Sequence, residues 1–266
     1  MVKNPFRYSQ SKRTKLIKEQ ERYIKSLYRQ AYFESEKIFA NIGKSRTESE
    51  ALRNVYLSSI KKELSALLTD VDTKTEISIK SNMDKMVSVV LEDNQKYLNS
   101  FGYKKFINDS KIRNQVVQDI LNGGIYNGQY SLSSAIWGDN KRKLNEISKI
   151  IANGVMQGRT VEDIAKRLQK YVNPRVRNLI EVPGVRGKID YNALRLARTS
   201  IQHAYQEAFV SSTILNPFIE AYRWVTSGGH NVCPLCIERE TEDKYGLGAG
   251  IFPKQSTVEN LPFLVS

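Results

Sequence analysis

The sequence is poor in the residues around which many enzymes and secreted scaffolds are built. It has two cysteines in 266 residues, too few for a disulfide framework. It has two histidines, His203 and His230, and a histidine-metal nuclease needs more than these can supply. Proline is absent between Pro5 and Pro174, so nothing forces a helix to end over that stretch. Apolar runs are short, as in Met86–Leu91, against the roughly 20 residues a membrane helix needs. No membrane association is expected. Met1–Lys18 is polar and basic and lacks the apolar stretch of a secretory leader, so the chain is expected to be made in the cytoplasm and kept there or packaged from there. The glycines of Gly246–Gly250 lack the strand-to-helix setting and the Lys-Ser/Thr pair of a phosphate-binding loop; they read as a flexible turn. No carboxylate cluster suggests a two-metal centre.

Basic residues are abundant. Forty-one Lys and Arg face twenty-eight Asp and Glu, for a net charge of +13. A surplus of that size suits a polyanionic partner or a solvated basic surface. Its distribution is uneven. Lys3, Arg7, Lys12, Arg13, Lys15, Lys18, Arg22, Lys25 and Arg29 are opposed only by Glu19 and Glu21 in the first thirty residues. From residue 230 onward five acidic residues outnumber three basic ones. The expected contact with double-stranded DNA phosphates, or with an acidic protein surface, therefore falls on Lys12, Arg13, Lys15, Lys18, Arg22 and Lys25, without base specificity.

The expected fold is mainly α: long N-terminal helices forming a hairpin or bundle arm, then a helical module and a small α+β C-terminal part. Two units are expected, a basic helical arm over 1–125 and a module over 126–266. Apolar residues at helical spacing (Leu16, Tyr23, Ile24, Leu27, Tyr28, Ala31, Tyr32, Ile38, Phe39) predict a first helix. A stop is expected at Asn41–Gly43, with capping residues at Ser45–Glu48 for a restart. A second helix is predicted to about Leu68, and a third after Asp70-Val71-Asp72 to about Leu98. Glycines at 123, 124 and 128 predict a break. A helix from Asn140 to Met156 follows, then one capped by Thr160 with Glu162 and Asp163 at its positive end. An irregular stretch over Asn173–Lys188 precedes a long helix from about Asp190 to Leu215. On that helix Leu194, Ala197, Ile201, Ala204 and Ala208 form an apolar face; Arg195, Arg198 and Gln202 form a solvated or salt-bridged one. Phe218–Val225 alternates and reads as a strand. Trp137 and Trp224 read as core aromatics.

Cys233-Pro-Leu-Cys236 is the sharpest local feature. Two thiolates three residues apart can grip zinc, with His230 as a third ligand and Glu238 or Asp243 as a poor fourth. A labile disulfide and a pair of reduced, packing thiols are the other two readings. The motif is placed in a loop, without the strand and helix of a thioredoxin-like pair.

Several pieces occur in an order that resembles the Mu F-like head morphogenesis family of phage minor head proteins. They are Leu132-Ser-Ser-Ala-Ile-Trp137, the stretch Ile150–Ala165 with Gly154 and Gly158, Ala197-Arg198-Thr199, and Arg223-Trp224 followed by the Cys-x-x-Cys. The resemblance covers about residues 130–262. It departs at Ser200, where the family usually carries Glu, and in lacking the family's second cysteine-bearing element. It implies a structural protein of the virion, not an enzyme. Such a protein acts in head morphogenesis beside the portal protein, other head proteins and DNA, in packaging or ejection. Its place would be the head interior or portal region, and the bacterial host cytoplasm during assembly. The alternatives are a zinc-dependent DNA-binding adaptor and a toxin-type enzyme.

Overall fold

The computed structural model describes residues 7–40, 50–102, 109–122, 131–176, 185, 188–214, 216–226, 228–229 and 231–254. Among these the chain forms seven helices and two short strands: α1 (Arg7–Ala40), α2 (Glu50–Asn99), α3 (Asp109–Leu121), α4 (Leu132–Met156), α5 (Val161–Val172), α6 (Tyr191–Ile214), β1 (Ala221–Arg223), α7 (Pro234–Thr241) and β2 (Ile251–Pro253). The mainly α class with a small α+β end is thus observed. The expected stop and restart over 41–49, and the glycines at 123, 124 and 128, lie outside the described residues.

α1 and α2 run antiparallel. Ser9 N–H donates to Asp93 at 2.7 Å, Ser78 donates to Gln20 at 3.1 Å, and Tyr28 meets Asp72, so residue numbers rise along one helix as they fall along the other. α6 is antiparallel to α1, because Arg198 pairs with Glu21 while the Arg13 guanidinium lies over the Tyr205 ring. One contiguous apolar core joins α1 (Ile24, Leu27, Ala31), α2 (Leu64, Ile79, Met83, Val87), α4 (Ile147, Ile150), α5 (Ile164, Leu168) and α6 (Ala197, Ile201, Ala204, Ala208). It draws on residues from both sides of position 125. The apolar face expected of the long helix is the buried face of α6.

The helix starts follow capping chemistry. The Ser131 hydroxyl accepts from Ser134 N–H at 3.0 Å and opens α4. The Thr160 hydroxyl accepts from Asp163 N–H at 3.2 Å and opens α5, with Glu162 and Asp163 in its first turn, as capping and the helix dipole favour. Between them Gly158 turns the chain at φ +66°, a conformation that costs glycine nothing. Gly154 has a different role: a Cβ there would lie 2.5 Å from Ile164 Cγ1, so its missing side chain sets how closely α4 meets α5.

Several expectations are corrected. Asp70-Val71-Asp72 does not break α2, which is continuous for 50 residues, about 75 Å at 1.5 Å per residue. Asp70 is spent on an ion pair to Lys74 at 2.6 Å, and Asp72 is buried against α4, so neither caps a helix. α4 begins at Leu132, not Asn140, because Ser131 caps it. Trp137 is 45% exposed, since it sits one position round the helix from buried Ile136. Trp224 is half-buried beneath Arg239. The strand expected over 218–225 contracts to Ala221–Arg223. It pairs antiparallel with Ile251–Pro253, directly after the glycines expected to form a flexible turn. Gly250 permits that pairing: at φ +69°, a Cβ would meet the Glu240 carbonyl oxygen at 2.7 Å.

A buried ionic network ties five helices together. The Lys143 ammonium of α4, fully buried, donates to Asp72 of α2 at 2.7 Å and Tyr28 of α1 at 2.7 Å, and pairs with Asp139 at 3.0 Å. Asn140 donates to Asp72 at 2.8 Å, and Asn192 of α6 donates to Asp139 at 2.7 Å. Arg142 bridges Asp139 and Glu146, whose other oxygen accepts from Tyr171 of α5 at 2.7 Å. Burial works against the Lys143 charge, yet Tyr28, Asp72 and Asp139 hold its pKa above the ordinary lysine range. Burial also works against the Asp139 carboxylate, but Lys143, Asn192 and Arg142 together hold it below its usual value.

Candidate nucleic-acid interface

The six cations expected to meet a polyanion do not form one set. Arg13 lies on the α6 side, its guanidinium 4.5 Å from the Tyr205 ring centroid. It is a packing residue as much as a surface one. Lys12 and Lys96 share the Tyr8 ring, at 5.6 and 5.3 Å.

The other four, Lys15, Lys18, Arg22 and Lys25, continue to Arg29 in steps of three and four residues. That spacing puts all five on one stripe of α1. Lys15, Lys18, Arg22 and Arg29 are exposed and Lys25 is half-buried. Their acidic neighbours neutralise them weakly. Lys15 and Glu19 are 3.9 Å apart, and Lys25 and Glu21 are 4.0 Å apart, at partly exposed positions. Exposed pairs at such distances contribute about 0–1 kcal/mol. From Lys15 to Arg29 the stripe spans about 21 Å, comparable to roughly six steps of 3.4 Å along one DNA strand.

At its C-terminal end the stripe opens into a cleft of about 310 Å³ lined by Lys25 and Arg29 of α1, Pro174 and Arg175 after α5, and Lys188 and Asp190 before α6. Four cations converge on one carboxylate. Asp190 is 1% exposed, lies 3.9 Å from Lys188, and its Oδ1 atom has no hydrogen-bond partner among the described residues. Burial raises its pKa, against the pull of the Lys188 charge. Exposed Arg195 and Arg198 extend the basic surface onto α6, where Arg198 forms the expected salt bridge, to Glu21. Arg29 was visible in the sequence as the next step of the same repeat. Arg175 and Lys188 had no sequence signal, since they join the stripe only through the fold.

The cysteine motif lies elsewhere. Cys233 is the N-cap of α7, Pro234 occupies the first helical position, and Cys236 sits in the first turn. This corrects the loop assignment: the motif does follow a strand and open a helix, although β1 and β2 are antiparallel rather than a parallel crossover pair. The two sulfurs are 2.8 Å apart, and Cys233 Sγ accepts from Cys236 N–H at 3.3 Å. These contacts hold the Cys233 thiol below its ordinary pKa and push that of Cys236 up. His230 lies outside the described residues. Asp243 is engaged with Gly248 N–H at 3.0 Å. Among the described residues no three His, Cys, Asp or Glu side chains converge as metal ligands, so two of the four donors of a structural zinc site are in place.

Also among the described residues, no helix is long and apolar enough to cross a membrane. The chain matches no protein family, no characterised protein sequence and no solved structure.

Proposed function

We propose that this chain is a structural protein of a phage head, a minor head protein that sits beside the portal and meets packaged DNA. The stripe Lys15, Lys18, Arg22, Lys25 and Arg29, continuing into the cleft with Arg175 and Lys188, is the observation that carries the DNA contact. Exposed cations presented in a row by one helix suit phosphates, whose contacts position a protein on DNA without reading sequence. The head assignment rests on the order of the pieces over residues 130–262 that resemble the Mu F-like family. Two of them have structural reasons here: Gly154 permits the α4–α5 contact, and Thr160 caps α5.

The test is retention of the full chain on duplex DNA as salt is raised. Five phosphate contacts give a slope of log affinity against log salt of about −4 to −5. Replacing Lys15, Lys18, Arg22 and Arg29 by Glu removes retention at low salt on this account. Arg13 is left intact so that the Tyr205 contact survives. Retention and slope unchanged by the four substitutions would sink the DNA reading.

A further inference from the structure

We propose that Cys233 and Cys236 form a reversible disulfide, so that the N-terminus of α7 is a thiol–disulfide exchange site. Both cysteines are free, Cys233 exposed and Cys236 half-buried. Their sulfurs, 2.8 Å apart, face each other across the first turn of α7, with Pro234 fixing the turn between cap and helix. Joining them needs only a small movement of one sulfur, and no other element has to shift.

The difference in exposure assigns the roles. The Cys233 thiolate attacks one sulfur of a low-molecular-weight disulfide of the glutathione type. A mixed disulfide forms on Cys233, and the first small thiol leaves with the electron pair of the broken S–S bond. Cys236 then loses its proton and attacks Cys233 Sγ, forming the Cys233–Cys236 bond and expelling the second small thiol. Two protein thiols are oxidised by two electrons in all, and one small disulfide is reduced to two thiols. Leu235, between the cysteines, is 56% exposed, so nothing in the turn blocks the approach. This proposal is independent of the DNA contact on α1.

The experiment uses the full reduced chain and oxidised glutathione, read by intact mass and thiol titration. The wild-type protein should lose both thiols together and become lighter by two hydrogens, with no adduct retained; dithiothreitol should restore both. Cys236→Ser should trap one glutathione on Cys233. Cys233→Ser should take up glutathione at least about tenfold more slowly, because the remaining thiol is the less accessible one. Circular dichroism confirms that each variant is folded, and the wild-type result needs no variant. Three outcomes would overturn the proposal: both thiols persisting in excess oxidised glutathione, two separate adducts without ring closure, or one equivalent of zinc that co-purifies and shields both thiols from alkylation.

Discussion

Lys143→Met is the perturbation that most sharply probes how this bundle is held. Methionine keeps most of the lysine stem's volume, so little cavity forms. What is lost is the ammonium group between Asp72, Asp139 and Tyr28. Asp139 retains Arg142 at 2.9 Å and Asn192 at 2.7 Å, and tolerates the change. Asp72, 2% exposed, is left with Asn140 at 2.8 Å and with Tyr28 at 3.4 Å, and no cation. Breaking a buried pair from one side costs about 3–5 kcal/mol. Urea unfolding followed by circular dichroism should show a loss of that size with an unchanged denaturant slope. Adding Asp72→Asn, which removes the stranded charge, should recover part of the loss, with a coupling of about 0.5–3 kcal/mol. A Lys143→Met variant within about 0.5 kcal/mol of wild type would refute the claim that Asp72 depends on this partner.

Two further predictions follow from the packing. The Asp139 carboxylate is held below its usual pKa, so its contribution to stability is present above the unfolded value of about 3.9 and fades as pH falls through the lower folded value. Unfolding measured below pH ~4 should therefore depend less on Asp139→Asn than unfolding at neutral pH. Gly154→Ala forces a methyl against Ile164; overpacking costs about 1–3 kcal/mol, offset by at most about 1 kcal/mol of helix propensity. A net loss of melting temperature is expected, and a gain would show that α4 and α5 can separate freely.

Much of the helical layout was legible because it rests on local rules. The 3.6-residue period of Ile24, Leu27, Tyr28 and Ala31, the Thr160 cap and the apolar face of α6 were readable without any partner in view. What could not be read depends on distant residues. Asp70-Val71-Asp72 looked like a break because an acidic pair usually seeks solvent or a helix start. Only the Lys143 ammonium, 71 positions away, makes Asp72 a core residue. Trp137 reads as core by hydrophobicity, but its direction from the helix axis is fixed by where α2 and α6 lie. The basic stripe is half legible: five of its cations share one repeat, whereas nothing in the sequence separates Arg13 from them, because the Tyr205 ring beneath it lies on a distant helix. The cleft with Arg175 and Lys188 exists only once α1 meets the segments flanking α5 and α6. For the cysteines, spacing revealed a pair, and only the fold placed that pair on a helix cap.

The most direct test of the proposed role is a pull-down of this protein against a phage portal protein encoded in the same genome, at moderate salt, with and without nuclease. The account predicts a portal complex that survives nuclease. Loss of the complex on nuclease treatment, or no complex under either condition, would contradict attachment to the portal.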